Sequence, residues 1–158
     1  MRMRIRAALK NATSGGVAIA AAAALLLGAM ATPASAGTCT KPGCGGVVTN
    51  LARTTIAVAN CWSTKFGAFA FGETLACMRN GWNLYAYNAG IRLGTRGDSS
   101  LLYRYYYDVD GFRVSRGCWA KGRWGHGGLF SFNRQGYSTS LWVRLTGKDE
   151  ASIHSYTC

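Results

Sequence analysis

The sequence predicts a mainly β domain: a small antiparallel sandwich or barrel with little helix, held together by disulfides. Three observations support this fold class. Short apolar segments alternate with glycine-rich breaks, a pattern typical of antiparallel sheets. After the first 36 residues, apolar side chains do not recur at helical spacing over three turns. The chain also carries six cysteines, an even number that favours a disulfide framework in a small exported protein.

The first 36 residues have the features of a secretory signal peptide. Four basic residues precede an apolar run over residues 17–30, and Ala34-Ser35-Ala36 fits a signal peptidase site. This run is shorter than the roughly 20 residues that span a bilayer. We therefore expect one disulfide-rich β-domain over residues 37–158, secreted to the extracellular space as a monomer, with no membrane span after the signal is removed.

The chain after the signal is cationic and rich in aromatic residues. Residues 1–36 hold four of the 18 basic residues and none of the six acidic ones, so removing them leaves a net charge of +8. All of the Trp, Tyr and Phe residues remain. Because a domain of this size buries only about two thirds of its unfolded surface, some rings should be exposed. Exposed rings beside cations favour an anionic or carbohydrate polymer as the partner.

The cysteines are predicted to pair locally where they can. Six cysteines allow many connectivities, and spacing alone does not select one. The pairing we expect is Cys39–Cys44, Cys61–Cys77 and Cys118–Cys158, the last of which ties the final residue back to the sheet. No Cys-x-x-Cys pair occurs, and His126 and His154 do not lie at ligand spacing from a cysteine pair. We expect neither a metal nor a cofactor.

The predicted elements begin with an N-terminal loop rich in glycine and cysteine over residues 37–46. Alternating side chains indicate strands over residues 54–61, 69–71 and 82–87. Residues 90–100 contain three glycines and are expected to form a loop with one short strand.

The clearest alternation in the chain runs over residues 101–114. It predicts a β-hairpin whose two-residue turn is the Asp-Gly pair at 110–111. In this register Asp108 would pair with Arg113 across the two strands. Tyr106 would lie on the same solvent-exposed face as Asp108.

The C-terminal part is predicted to contain a second hairpin. Four glycines within residues 122–128 indicate a turn or loop. Residues 129–132 and 141–145 would pair with each other across residues 133–138. Residues 153–158 would then form an edge strand.

The strongest candidate for a binding surface is the stretch from residue 113 to residue 124, which interleaves four cations with two tryptophans. Planar rings beside cations can stack on sugars or bases while the cations bind phosphates or carboxylates. Together with an exposed Tyr106, the predicted ligand-binding residues are Arg113, Arg116, Trp119, Lys121, Arg123 and Trp124. The structural alternative is that Trp119 packs against the disulfide of Cys118 and that the arginines only solvate a strand.

Catalysis has less support in the sequence, so we expect a binding protein rather than an enzyme. One alternative is a small secreted hydrolase, such as a ribonuclease, in which His126 acts as the general acid and Glu73 as the base. His126 is flanked by glycines, which would expose its ring. A second alternative is a protease inhibitor or antagonistic toxin that presents residues 90–100 to a foreign protein.

Part of the sequence resembles a pattern in small secreted proteins of actinomycetes. Residues 97–100 are Gly-Asp-Ser-Ser, residues 107–114 are Tyr-Asp-Val-Asp-Gly-Phe-Arg-Val, and residues 117–118 are Gly-Cys. This resemblance implies secretion and a β-rich fold. It implies no particular activity.

Overall fold

The structure, a computed structural model, describes residues 39–42 and 44–158, and the predicted signal peptide over residues 1–36 lies outside them. The described part contains nine strands and two short 3-10 helices. The strands are β1 Val47–Asn50, β2 Ile56–Ala59, β3 Phe69–Phe71, β4 Gly90–Leu93, β5 Gly111–Val114, β6 Trp119–Trp124, β7 Leu129–Asn133, β8 Leu141–Arg144 and β9 Glu150–Thr157. The 3-10 helices are Ser99–Leu101 and Arg104–Tyr106.

The strands form two sheets that pack as a sandwich. One sheet has four strands in the order β1-β9-β6-β7, and the other has five in the order β3-β8-β5-β2-β4. Neighbouring strands are antiparallel, except that β1 and β9 run parallel. The predicted fold class, a mainly β sandwich with little helix and several disulfides, is confirmed.

The core between the sheets is centred on Phe112 of β5, which is fully buried. Its ring centroid lies 5.6 Å from that of Phe130 and 6.2 Å from that of Phe132, both on β7 of the other sheet. Trp124 closes one edge of this cluster, 4.7 Å from Phe130. Burial of one such ring stabilises the fold by about 2–3 kcal/mol, so these contacts hold the two sheets together.

A second apolar cluster covers the outer face of the five-stranded sheet. Trp62, Leu75 and Met78, from the long connection between β2 and β4, pack there with Trp142 of β8. The chain of β2 is therefore buried on both faces, which explains why it is apolar at all four positions.

The three predicted disulfides are confirmed. They join Cys39 to Cys44, Cys61 to Cys77 and Cys118 to Cys158. The second closes the connection that carries the outer apolar cluster. The third ties the start of β6 to the end of β9, two neighbouring strands.

The predicted hairpin over residues 101–114 is wrong. The Asp98 carboxylate accepts hydrogen bonds from the backbone N–H and the hydroxyl of Ser100 and caps the first 3-10 helix, so the chain coils where a strand was expected. Strand β5 pairs instead with β2 and β8. Asp108 accepts a hydrogen bond from the N–H of Gly46 at 3.0 Å and does not face Arg113.

Several other elements differ from the prediction in their pairing. Residues 82–87 form turns, with a single bridge between Trp82 and Gly90. Strands β7 and β8 exist but belong to different sheets, because β7 pairs with β6. Strand β9 lies inside its sheet rather than at an edge. Alternation therefore located β7, β8 and β9 without specifying their partners, and over residues 82–87 it predicted a strand that the chain does not form.

Candidate functional site

The outer face of β6 carries the main cluster of predicted binding residues. Trp119, Lys121 and Arg123 point outward, whereas Ala120 and Gly122 between them are buried, as the two-residue period of a strand requires. The Lys121 ammonium lies 3.8 Å from the centroid of the Trp119 ring. The indole Nε1–H of Trp119 donates to the Ser131 hydroxyl at 2.7 Å, so the ring is held in place from two sides.

Neighbouring strands complete a groove around this row. Its volume is about 600 Å³. Leu129 and Ser131 of β7 and His154 of β9 line it. Leu129 is 78% exposed. None of the described residues that line the groove is acidic. A concave surface with cations and without carboxylates concentrates anions near it.

Gly122 sits in the middle of β6 because the chain has no room for a side chain there. A Cβ atom at this position would collide with the carbonyl oxygen of Ser152 and with the ring of Phe130. The groove floor therefore depends on a glycine.

Arg113 does not join the groove, although the sequence grouped it with Trp119. It lies on β5, in the other sheet, where its side chain is 12% exposed and pairs with Glu73 at 3.0 Å. Its guanidinium also lies over the rings of Trp82 and Trp142, at 5.5 and 5.8 Å. The turn between β5 and β6 moves the chain from one sheet to the other, so one sequence segment contributes to two different faces.

Arg116 and Trp124 lie at the margins of this arrangement. Arg116 is exposed in the turn before β6 and does not line the groove. Trp124 faces inward and is partly buried in the core. Its ring is nearly parallel to that of His126, at 6.3 Å, so one tryptophan of the segment, Trp119, faces the groove.

The expectation that Tyr106 is exposed is wrong. The residue is fully buried in the core, and its hydroxyl donates to the carbonyl of Asn83 at 3.0 Å. Burial raises the pKa of the phenol. The 3-10 turn directs this ring inward, whereas Tyr103 is exposed and Tyr105 is partly buried.

The structure does not bring His126 and Glu73 together. Glu73 accepts a hydrogen bond from the Ser140 hydroxyl at 2.8 Å, and Ser140 in turn accepts one from the N–H of Arg116, just before β6. His126 lies beyond the opposite end of β6, in a small cavity lined by Lys148, Asp149 and Glu150. The acid–base pair expected of a hydrolase is therefore not assembled.

Two other carboxyl groups have shifted pKa values. Burial, and secondarily the charge of Asp108, raise the pKa of Asp110 to about 7. Its Oδ2 atom is buried without a hydrogen-bond partner. Hydrogen bonds from the side chain and backbone of Thr146, with a smaller contribution from the charge of His126, lower the pKa of Asp149.

Sequence reasoning missed the contribution of Leu129, Ser131 and His154 to the groove. Leu129 and Ser131 alternate outward on β7, whereas His154 is the unpaired residue of a bulge in β9, opposite Lys121 and Gly122. All three come close to Trp119 only through the pairing of β6 with β7 and β9. The sequence indicated a surface position for the polar residues Ser131 and His154, but not for Leu129, which is apolar and adjoins Phe130. It gave no sign that the three residues lie close together.

Comparisons with known proteins identify no relatives: no family model, curated protein or solved structure matches the chain. Within residues 39–42 and 44–158, no helix has the length and apolar character needed to cross a membrane. In the same residues, no three His, Cys, Asp or Glu side chains cluster in a way that could hold a metal ion.

Proposed function

We propose that the protein is a secreted, cationic, non-enzymatic binding domain for anionic or carbohydrate polymers of a cell surface. Its binding site is the groove on β6, and its ligand is an acidic polysaccharide. The three disulfides are compatible with an extracellular environment, and the signal-like N-terminus is the second reason to expect export.

One observation carries this proposal: Trp119, Lys121 and Arg123 point outward together from one strand, into a groove whose described lining contains no acid. Alternate residues of a strand lie about 7 Å apart, so the two cations can contact successive negative groups of a polymer. The fixed indole lies at the end of this row, next to Lys121, and offers an apolar surface to a sugar ring beside those contacts.

The test is the affinity of the purified domain for polygalacturonate, a uronic-acid polymer, at low and moderate salt. If two cationic contacts release counterions on binding, a fourfold rise in salt concentration should weaken the affinity about tenfold. Binding that does not change with salt would contradict the proposal.

Paired variants separate the groove from net charge. The double substitution Lys121→Gln and Arg123→Gln should abolish most of the affinity. The matched control is Lys65→Gln with Arg79→Gln, which removes the same charge from exposed positions in the connection between β2 and β4. If both doubles lose affinity equally, the groove is not the site.

An inhibitor of a foreign protease is a second candidate, favoured by the rigidity of the loop over residues 94–98. The Asn50 amide donates to the carbonyls of Leu93 and Gly94, at 3.2 and 2.9 Å, and Asp98 accepts from the Thr49 hydroxyl at 3.0 Å. The exposed tip residue is Arg96, and a preformed loop loses little entropy on binding. A 1:1 complex with trypsin in which the chain stays uncut would support this candidate, and its absence would remove it.

A further inference from the structure

Four tyrosines form a continuous row away from the groove on β6. Three of them are exposed, and the fourth, Tyr105, is partly buried against the core. Ring centroids lie 5.2 Å apart between Tyr85 and Tyr103, 5.2 Å between Tyr103 and Tyr105, and 4.2 Å between Tyr105 and Tyr87. Tyr85 is 68% exposed, Tyr103 43% and Tyr87 39%. We call these four residues the tyrosine row.

The row is built on two loops that a buried side chain ties together. The amide Nδ2 of Asn60, which is fully buried, donates to the carbonyl of Ala86 at 2.9 Å and to that of Tyr105 at 2.8 Å. The Asn60 carbonyl oxygen accepts from the N–H of Ala89. Because one asparagine links both loops, the rings are held in position before any ligand binds, which lowers the entropic cost of binding.

The two chain segments that supply the row carry almost no charge. Residues 82–89 and 99–107, which supply all four rings, include one charged residue, Arg104. Its guanidinium lies over the rings of Tyr103 and Tyr105, at 5.9 and 5.1 Å, and donates to the Tyr105 hydroxyl at 3.2 Å. The row therefore offers ring surface and hydroxyl groups rather than charge.

The exposed area favours a narrow ligand over a protein. A full aromatic side chain presents on the order of 200 Å², so the exposed fractions of Tyr85, Tyr103 and Tyr87 together leave about 300 Å² of ring surface accessible. A specific protein interface takes about 800 Å² from each partner. A patch of about 300 Å² is similar in size to the largest exposed patch of a typical monomer, which is often functional.

We propose that the tyrosine row is a second binding surface, specific for an uncharged polysaccharide chain. Pyranose rings have apolar faces that pack on aromatic rings, and hydroxyl edges that exchange hydrogen bonds with phenols and with a guanidinium. The linear order of the four rings matches a linear polymer. This surface goes beyond the proposed function, because its ligand carries no charge and its residues lie outside the cationic groove.

The test measures binding of the purified domain to insoluble cellulose and chitin in about 1 M NaCl. At this ionic strength the Debye length is about 3 Å, so attraction between exposed charges contributes little. We expect the wild-type protein to bind one of these polymers. The double substitution Tyr85→Ala and Tyr103→Ala should weaken that binding at least about tenfold, since hot-spot rings dominate such contacts. Tyr85→Phe with Tyr103→Phe, which keeps the rings, should retain most of it.

Tyr137 is the matched control. It is 57% exposed and carries the Arg134 guanidinium 3.9 Å from its ring centroid, but it is isolated from the row. Tyr137→Ala should bind like the wild type, and so should the Lys121→Gln/Arg123→Gln double. Because the alanine double removes exposed rings, its thermal unfolding midpoint should stay near that of the wild type.

Three outcomes would overturn this inference. The wild-type protein could fail to bind either polymer at high salt, the alanine double could bind unchanged, or Tyr137→Ala could lose as much as the double. Binding to polygalacturonate at low and moderate salt is measured separately. A negative result for the tyrosine row therefore leaves the proposal for the groove on β6 untouched, and the reverse also holds.

Discussion

Replacing Asp110 by Asn should stabilise the protein at alkaline pH and leave it nearly unchanged in acid. The native pKa of Asp110 is raised from the usual 3.8 to about 7, mainly by burial and then by the charge of Asp108. Between these two values the native carboxyl holds a proton that the unfolded chain has released. The free energy of unfolding therefore falls as the pH rises from about 4 to about 7.

The size of the effect follows from the difference between the two pKa values. Each pKa unit corresponds to about 1.4 kcal/mol, so the native protein loses up to about 4 kcal/mol from this group once the pH exceeds about 7. An amide at position 110 cannot ionise. Asp110→Asn should recover that loss at about pH 8, and its advantage should approach zero at about pH 4.

The assay is urea unfolding of both proteins, with disulfides intact, at several pH values between these limits. The result to compare across pH is the difference in unfolding free energy between variant and wild type, because the contributions of all other titrating groups are the same in both proteins and cancel. A second variant, Asp108→Asn, removes the neighbouring charge and should move the midpoint of the wild-type pH dependence to lower pH. A difference that is constant with pH would show that Asp110 ionises normally, and would refute the reasoning.

The remaining predictions concern stability and can be measured by denaturant unfolding at fixed pH unless stated otherwise. Replacing Cys118 and Cys158 by Ala opens a link across 40 residues and should cost about 4 kcal/mol; an unchanged midpoint would contradict this. Phe112→Ala empties the centre of the core and should cost about 3–5 kcal/mol, and a loss below about 1 kcal/mol would mean that the sheets repack. The effect of Asp149→Asn on stability should depend on pH in the opposite direction to that of Asp110→Asn. Because the pKa of Asp149 is lowered in the native state, its ionised carboxylate stabilises the fold at pH values above the usual pKa of an aspartate. The variant should therefore be less stable than the wild type near neutral pH and equally stable in strong acid.

The binding surfaces show why the position of residues along the chain was a poor guide to their position in space. Arg113 and Lys121 are eight residues apart, and the sequence suggested one continuous cationic stretch. A turn between them carries the chain from the five-stranded to the four-stranded sheet, so Arg113 pairs with Glu73 while Lys121 faces the groove. Local patterns contain no information about such a change of sheet.

The tyrosines illustrate the same limit from the other side. Tyr103, Tyr105 and Tyr106 were expected on a strand, with Tyr106 outside. The coil that begins at Asp98 changes which rings face water: Tyr106 is buried, Tyr103 is exposed beside Tyr85, and Tyr105 is partly buried. A helical turn and a strand direct the same residues to different faces. Here the helical turn forms, and the Asp98 side chain caps its N-terminus.

The sequence by itself determined the fold class, because short alternating segments and glycine breaks are features of local composition. The three disulfide pairs were predicted correctly, although the spacing of the cysteines does not select among the possible connectivities. It also placed Trp119, Lys121 and Arg123 in the candidate binding stretch over residues 113–124, but it predicted no strand there and expected a turn or loop over residues 122–128, where β6 continues to Trp124. Only the tertiary structure decided which strands pair, which rings reach water, and which side chains surround the groove. Those outcomes depend on contacts between residues far apart in the chain, and the sequence of a single segment does not show which distant residues it will contact.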